Sequence, residues 1–137
     1  MIRKVAAGLT GLGLIGGAGT VVYNGNGDAT VKIKDKAGYV QTVQLTGGNG
    51  PGYSCPEGTH DKLERYDVEL GRIKLTLRQV RRKEQKIERQ YPTHSAPGRV
   101  ADRYDALLDR DDRLVAAYND DVDARNAILE QDCQRAD

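Results

Sequence analysis

The stretch "THDKLERYDVELGRIKLTLRQVRRKEQKIERQY", Thr59 to Tyr91, decides how this chain folds. Its apolar side chains fall at Leu63, Tyr66, Leu70, Ile73, Leu77, Val80, Ile87 and Tyr91, three and four residues apart, with only Glu84 interrupting. That spacing keeps one stripe on one side of a helix over more than four heptads. "PTHSAPG", Pro92 to Gly98, then breaks the pattern with two prolines and a glycine. Ser95 is placed to cap a second helix, with Pro97 in its first turn. From about Pro97 to Cys133 the apolar residues are Val100, Tyr104, Leu107, Leu108, Leu114, Val115, Tyr118, Val122, Ile128 and Leu129. Two long helices joined by a short loop pack as antiparallel neighbours.

Closing the chain at that loop brings Cys55 level with Cys133, whose numbers sum to 188. Residues with the same sum pair Tyr66 with Val122, Leu70 with Tyr118, Ile73 with Val115 and Val80 with Leu108. Glu84 then falls opposite Tyr104, and Asp111 opposite Leu77. A disulfide is therefore expected at the open end of the hairpin. Closing so long a loop stabilises by about 4 kcal/mol in the chain-entropy model. Charge supports the pairing: residues 59–91 hold ten Lys and Arg against six Asp and Glu, residues 98–137 six against eleven. Opposite charge is expected to attract along the seam, setting orientation more than stability.

Upstream, "TVKIKDKAGYVQTVQLT", Thr30 to Thr46, reads as a β-hairpin turning at "DKAG". Val31 and Ile33 share one face of its first strand; Tyr39, Val43 and Leu45 share one face of the second. A lone hairpin is marginal, so it must lean on the helices, at Val68 and Leu75 or at Leu107 and Leu114. Gly-rich joints precede and follow it, at 24–29 and within 47–58.

The first residues contain "GLGLIGG", Gly11 to Gly17, the spelling of a dinucleotide-binding turn. That motif works only between a strand and the N-terminus of a helix in a βαβ unit, and the Gly- and β-branched-rich residues after Gly16 do not supply the helix. The expected reading is an export segment. Arg3 and Lys4 precede 18 uncharged residues, Val5 to Val22, enough for a transmembrane helix within residues 1–23, with the N-terminus cytoplasmic and the rest outside. Ala7 with Gly11, and Gly13 with Gly17, would let that helix pack closely. The competing reading is a signal peptide cut after Ala18, giving a secreted chain.

The remaining motifs have structural readings. Arg78, Arg81, Arg82, Lys83 and Lys86 form a basic run, expected to be a solvated face or to meet an acidic partner; it lacks interleaved aromatics, so nucleic acid is not expected. "NDDVDARNAILE", Asn119 to Glu130, spaces oxygen ligands as in an EF-hand, but has Ala124 where Gly is needed and Arg125 beside the ion position. His60 with Cys55 and Cys133 could hold a metal, against which a disulfide competes. His94 and Ser95 read as turn residues.

The expectation is thus a mainly α protein: an N-terminal hydrophobic helix, a short β-hairpin at 30–46, and over 59–137 a disulfide-closed hairpin with its seam at Leu63, Tyr66, Leu70, Ile73, Leu77, Val80, Tyr104, Leu108, Val115, Tyr118, Val122 and Leu129. It would be a non-enzymatic scaffold outside the cytoplasm, held to the membrane through residues 5–22, binding a protein or itself through the hairpin, with no cofactor, metal or small-molecule substrate. The alternatives are a secreted binding module, and a nucleic-acid-binding hairpin using residues 78–86.

Overall fold

The computed structural model describes residues 14–23, 28–35, 37–45, 53–92 and 95–135. Two long helices dominate it, α1 (Glu57–Gln90) and α2 (Gly98–Asp132). They lie against each other as the expected antiparallel hairpin, each roughly 50 Å long at 1.5 Å per residue. Both begin directly after a proline, Pro56 and Pro97, in the N-cap position. The ring fixes φ for helix entry, and the proline carbonyl accepts the first helical N–H groups: His60 on Pro56, Val100 and Ala101 on Pro97. The N-cap position of α2 is taken by Pro97, not by Ser95.

The β-hairpin is larger than the sequence reading. Strands β1 (Ala18–Tyr23), β2 (Ala29–Lys34) and β3 (Val40–Leu45) form one antiparallel sheet in that order. Val21, Val31 and Val43 stand side by side across it. Ala29, Val31, Ile33, Val43 and Leu45 are buried and face the helices. Tyr39 does not share in that burial: it precedes β3 and is 73% exposed. Two-residue strands β4 (Tyr53–Ser54) and β5 (Gln134–Arg135) close the open end of the hairpin.

β1 overturns the helix expected over residues 5–22 in the part of it that is described. Gly17 has φ of 115°, outside the helical region, and Thr20, Val21, Val22 and Tyr23 are β-branched or aromatic residues that suit a pleated strand. β2 supplies the backbone partners that β1 needs. Among the described residues no helix is long and apolar enough to cross a membrane. Residues 1–13 lie outside the description, as do the joints at 24–27 and 46–52 and the loop residue His94. The antiparallel β1–β2 pair also shows that the glycine motif does not open a βαβ unit.

The sheet lies on the back of α1, where glycine permits close approach. A Cβ on Gly71 would overlap the Val31 side chain, and one on Gly19 would overlap Val68. Two apolar clusters result. One joins the inner face of the sheet to Leu70 and Leu75, with Ile15, Val21, Tyr23, Val68, Tyr118 and Val122 packed around it. The other, in the hairpin itself, holds Ile73, Val80, Leu107 and Leu114, flanked by Leu14, Leu77, Ile87 and Ala117. Of the two expected resting places for the sheet, Val68 and Leu75 are used; Leu107 and Leu114 belong to the helix seam.

Candidate interaction surface

At the open end Cys55 and Cys133 are bonded, their Cα atoms 4.4 Å apart. Ser54 pairs with Gln134 beside them, so the 188 register holds there. The sulfurs are committed to each other and not to a site shared with His60, whose Nε2 lies 3.4 Å from Glu64 and whose ring lies 5.9 Å from that of Tyr23.

Further along, the cross-hairpin polar pairs sum to 192 instead. Tyr104 donates to Glu88 at 3.2 Å, not to Glu84. Asp111 accepts from Arg81 at 3.1 Å rather than facing Leu77. Asp67 meets Arg125. The offset follows from side-chain direction. Each Cα–Cβ bond tilts toward the N-terminus of its own helix, so in an antiparallel pair two long side chains meet only when both start further along their chains.

The expected seam is largely realised. Leu63, Tyr66, Leu70, Ile73, Val80 and Leu129 are buried, and Leu77, Tyr104, Val115, Tyr118 and Val122 are half-buried. Leu108 is the exception: it is 38% exposed, and its neighbour Leu107 takes the inward position at 8%. Leu107, Leu114 and Asp121 follow at strict heptad spacing, and all three are buried. Asp121 is the polar residue of this line, and an apolar stripe alone does not place it inward.

Three other polar side chains, from Tyr23, Asp67 and Arg125, form a network between the sheet and the two helices. Arg125 donates from Nε to Asp67 Oδ1 at 2.6 Å and from Nη2 to Oδ2 at 3.1 Å. The Tyr23 hydroxyl donates to the same carboxylate at 2.6 Å. One contact set thus ties β1, α1 and α2. Asp121 is fully buried, and neither of its oxygens has a hydrogen-bond partner among the described residues. Burial, with Glu69 and Asp120 adding negative charge, pushes its carboxyl up to about 7. Glu84 is also pushed up to about 7, by burial and then by a hydrogen bond to Asp111. Burial opposes ionisation of Asp111, but the hydrogen bonds it accepts from Arg81 and Glu84 hold its pKa below the ordinary value. Below about pH 7, where Glu84 keeps its proton, it donates that hydrogen bond to Asp111. Leu14 and Ile15 are held to α1: the Ile15 N–H donates to Thr76 Oγ1 at 3.1 Å, and Arg72 donates to the Ile15 carbonyl at 3.2 Å.

The stretch read against an EF-hand is continuous helix, with Asp121 and Arg125 turned inward; it is not a loop that wraps an ion. The basic run divides. Arg81 is taken by Asp111, whereas Arg78, Arg82, Lys83 and Lys86 are exposed. Lys83 and Lys86 line a shallow groove of about 500 Å³ near the hairpin tip, with Ile87, Gln90, Arg103 and Leu107. The expected attraction along the seam is thus confined to a few pairs. In the buried pair the acid is on α1 and the cation on α2, opposite to the helices' overall charge, and most of the complementary charge points outward.

No family model, characterised protein or solved structure matches the chain. The chemistry of this surface is that of two charged helix faces on a covalently closed arm.

Proposed function

We propose that this chain is an exported, non-enzymatic interaction module whose hairpin is a stiff arm presenting charged faces to a protein partner. The Cys55–Cys133 bond carries the reading. Structural disulfides persist in oxidising compartments and are rare in the cytosol. Two helices with a thin apolar seam are also the kind of structure that such a bond helps to hold together.

Between secretion and anchoring, β1 favours secretion. With residues 18–23 in the sheet, the uncharged run before it is Val5 to Gly17, thirteen residues. A span needs about 17 to 25, whereas about 10 to 14 suits the apolar region of a signal peptide. A cut after Ala18 would leave Gly19 to Tyr23 available to pair with β2 while removing Leu14 and Ile15 and the bonds of Ile15 with Thr76 and Arg72.

Intact mass of the chain from exported and cytoplasmic fractions, with and without reductant, tests the proposal. The expected exported species begins at Gly19 and gains two hydrogens on reduction. Free thiols in that species, or retention of the chain in the cytoplasm, would overturn the proposal.

A further inference from the structure

We propose that the chain associates with a second copy of itself at the tip half of the hairpin, the basic outer face of α1 against the acidic outer face of α2. The inference rests on the reading of the hairpin as an interaction element and names its partner.

Arg78, Arg82, Lys86 and Arg89 follow at spacings of four, four and three residues. They form one line along α1, and Arg82 lies nine residues, half a turn in phase, from the buried Ile73. Asp102, Asp105, Asp109 and Asp112 follow at three, four and three on α2, with Asp105 and Asp112 each two residues from an inward leucine, Leu107 and Leu114. All eight are exposed. None of the four cations pairs with a described residue, and of the four acids only Asp109 does, with Arg113 on its own helix.

The two lines are each about 15 Å long at the helical rise, so their charges can be matched one to one. Centred on Arg82 and on Asp105 and Asp112, the two lines lie on opposite sides of a single hairpin, although Lys86 also borders the groove beside Arg103 and Leu107, and they can therefore meet only between molecules. The sheet covers the back of α1 around Val68, Gly71 and Leu75, which confines a docking helix to the tip side of Thr76. A second copy supplies the opposite charge at nearly the same spacing. Because the contact joins two different faces, it is heterologous, and association grows with concentration into chains or rings. Exposed ion pairs are individually weak and are screened by salt, so the association is salt-sensitive.

The test is sedimentation of the oxidised exported chain over a concentration series at about 0.01 M and about 1 M salt, where the Debye length falls from about 30 Å to about 3 Å. The expected result is a mass that rises with concentration at low salt and returns to monomer at high salt. The doubly reversed variants R82E/K86E and D105K/D112K should each remain monomeric, since the altered line then holds two charges of each sign and no longer attracts its intact counterpart, and should associate when mixed, because the mixture brings one intact basic line to one intact acidic line. Circular dichroism of each variant separates lost pairing from lost folding. A wild-type monomer throughout, association that survives either reversal, or folded variants that stay apart when mixed would overturn the pairing. Monomeric but oxidised, exported chain would leave the exported-module reading standing; free thiols would remove that reading whatever the sedimentation shows.

Discussion

Asp67 and Arg125 hold each other in a two-pronged ion pair across the hairpin, each side chain only 3% exposed. With Tyr23 on the same carboxylate, the pair locks the sheet and both helices at one point. Asp67→Ala leaves the guanidinium buried without its counter-charge and should destabilise by about 3 to 5 kcal/mol. The double replacement Asp67→Leu with Arg125→Met removes both charges and should recover most of that loss. Urea unfolding followed by circular dichroism measures both; a double variant as weak as the single one would show that the charges themselves are needed.

Replacing Cys55 by Ser opens the covalent loop, whose ends are 78 residues apart in sequence. Stability should fall by about 2 to 4 kcal/mol, with the loss reproduced in the wild type by reductant. The difference in urea midpoint between oxidised and reduced protein is the readout, and equal midpoints would contradict it.

Asp121 and Glu84 make stability depend on pH. Each has its folded pKa raised to about 7 from an ordinary value near 4, so between these values the folded chain binds more protons than the unfolded one. Their contribution therefore falls as pH rises from about 4 to 7, and the penalty is complete above that. The lowered pKa of Asp111 acts the other way, and its contribution is lost on acidification below the usual carboxylate range. Asp121→Asn should gain on the order of 2 kcal/mol at pH 8, gain little at pH 4 and flatten the slope between them. Thermal unfolding across that range reads the effect directly.

Gly71→Ala adds a methyl group where Val31 already sits. Although alanine is the better helix former by about 1 kcal/mol, the overlap should reverse that advantage and destabilise by roughly 1 to 3 kcal/mol. A substitution to alanine at Gly58, with nothing within 4 Å, should instead be neutral or stabilising. A matched pair of melting curves compares the two sites.

The helices, their loop, the disulfide and strands β2 and β3 are legible in the sequence because each leaves a periodic or chemical mark. Heptad spacing over thirty residues has few other solutions, and the cysteines lie level only if the chain doubles back. β1 was obscured because "AGTVVY" sits inside a longer uncharged run, and an apolar run does not declare whether lipid, a helix or a sheet will cover it. Two adjacent leucines, Leu107 and Leu108, cannot be separated by hydrophobicity alone; continuing the heptad from Leu107 through Leu114 to Asp121 separates them. The Asp67–Arg125 pair lies 58 residues apart and has no local signature. The charged faces were visible as residue counts, but their outward direction depended on knowing the seam.

All three strands of the sheet precede Cys55, and Cys133 follows α2 directly. Tension applied between the two ends of the chain would cross from one sulfur to the other and bypass both helices. The sheet would peel from α1 while the hairpin stayed mechanically shielded, and an optical trap would record extension from the strands alone until a reductant released the arm.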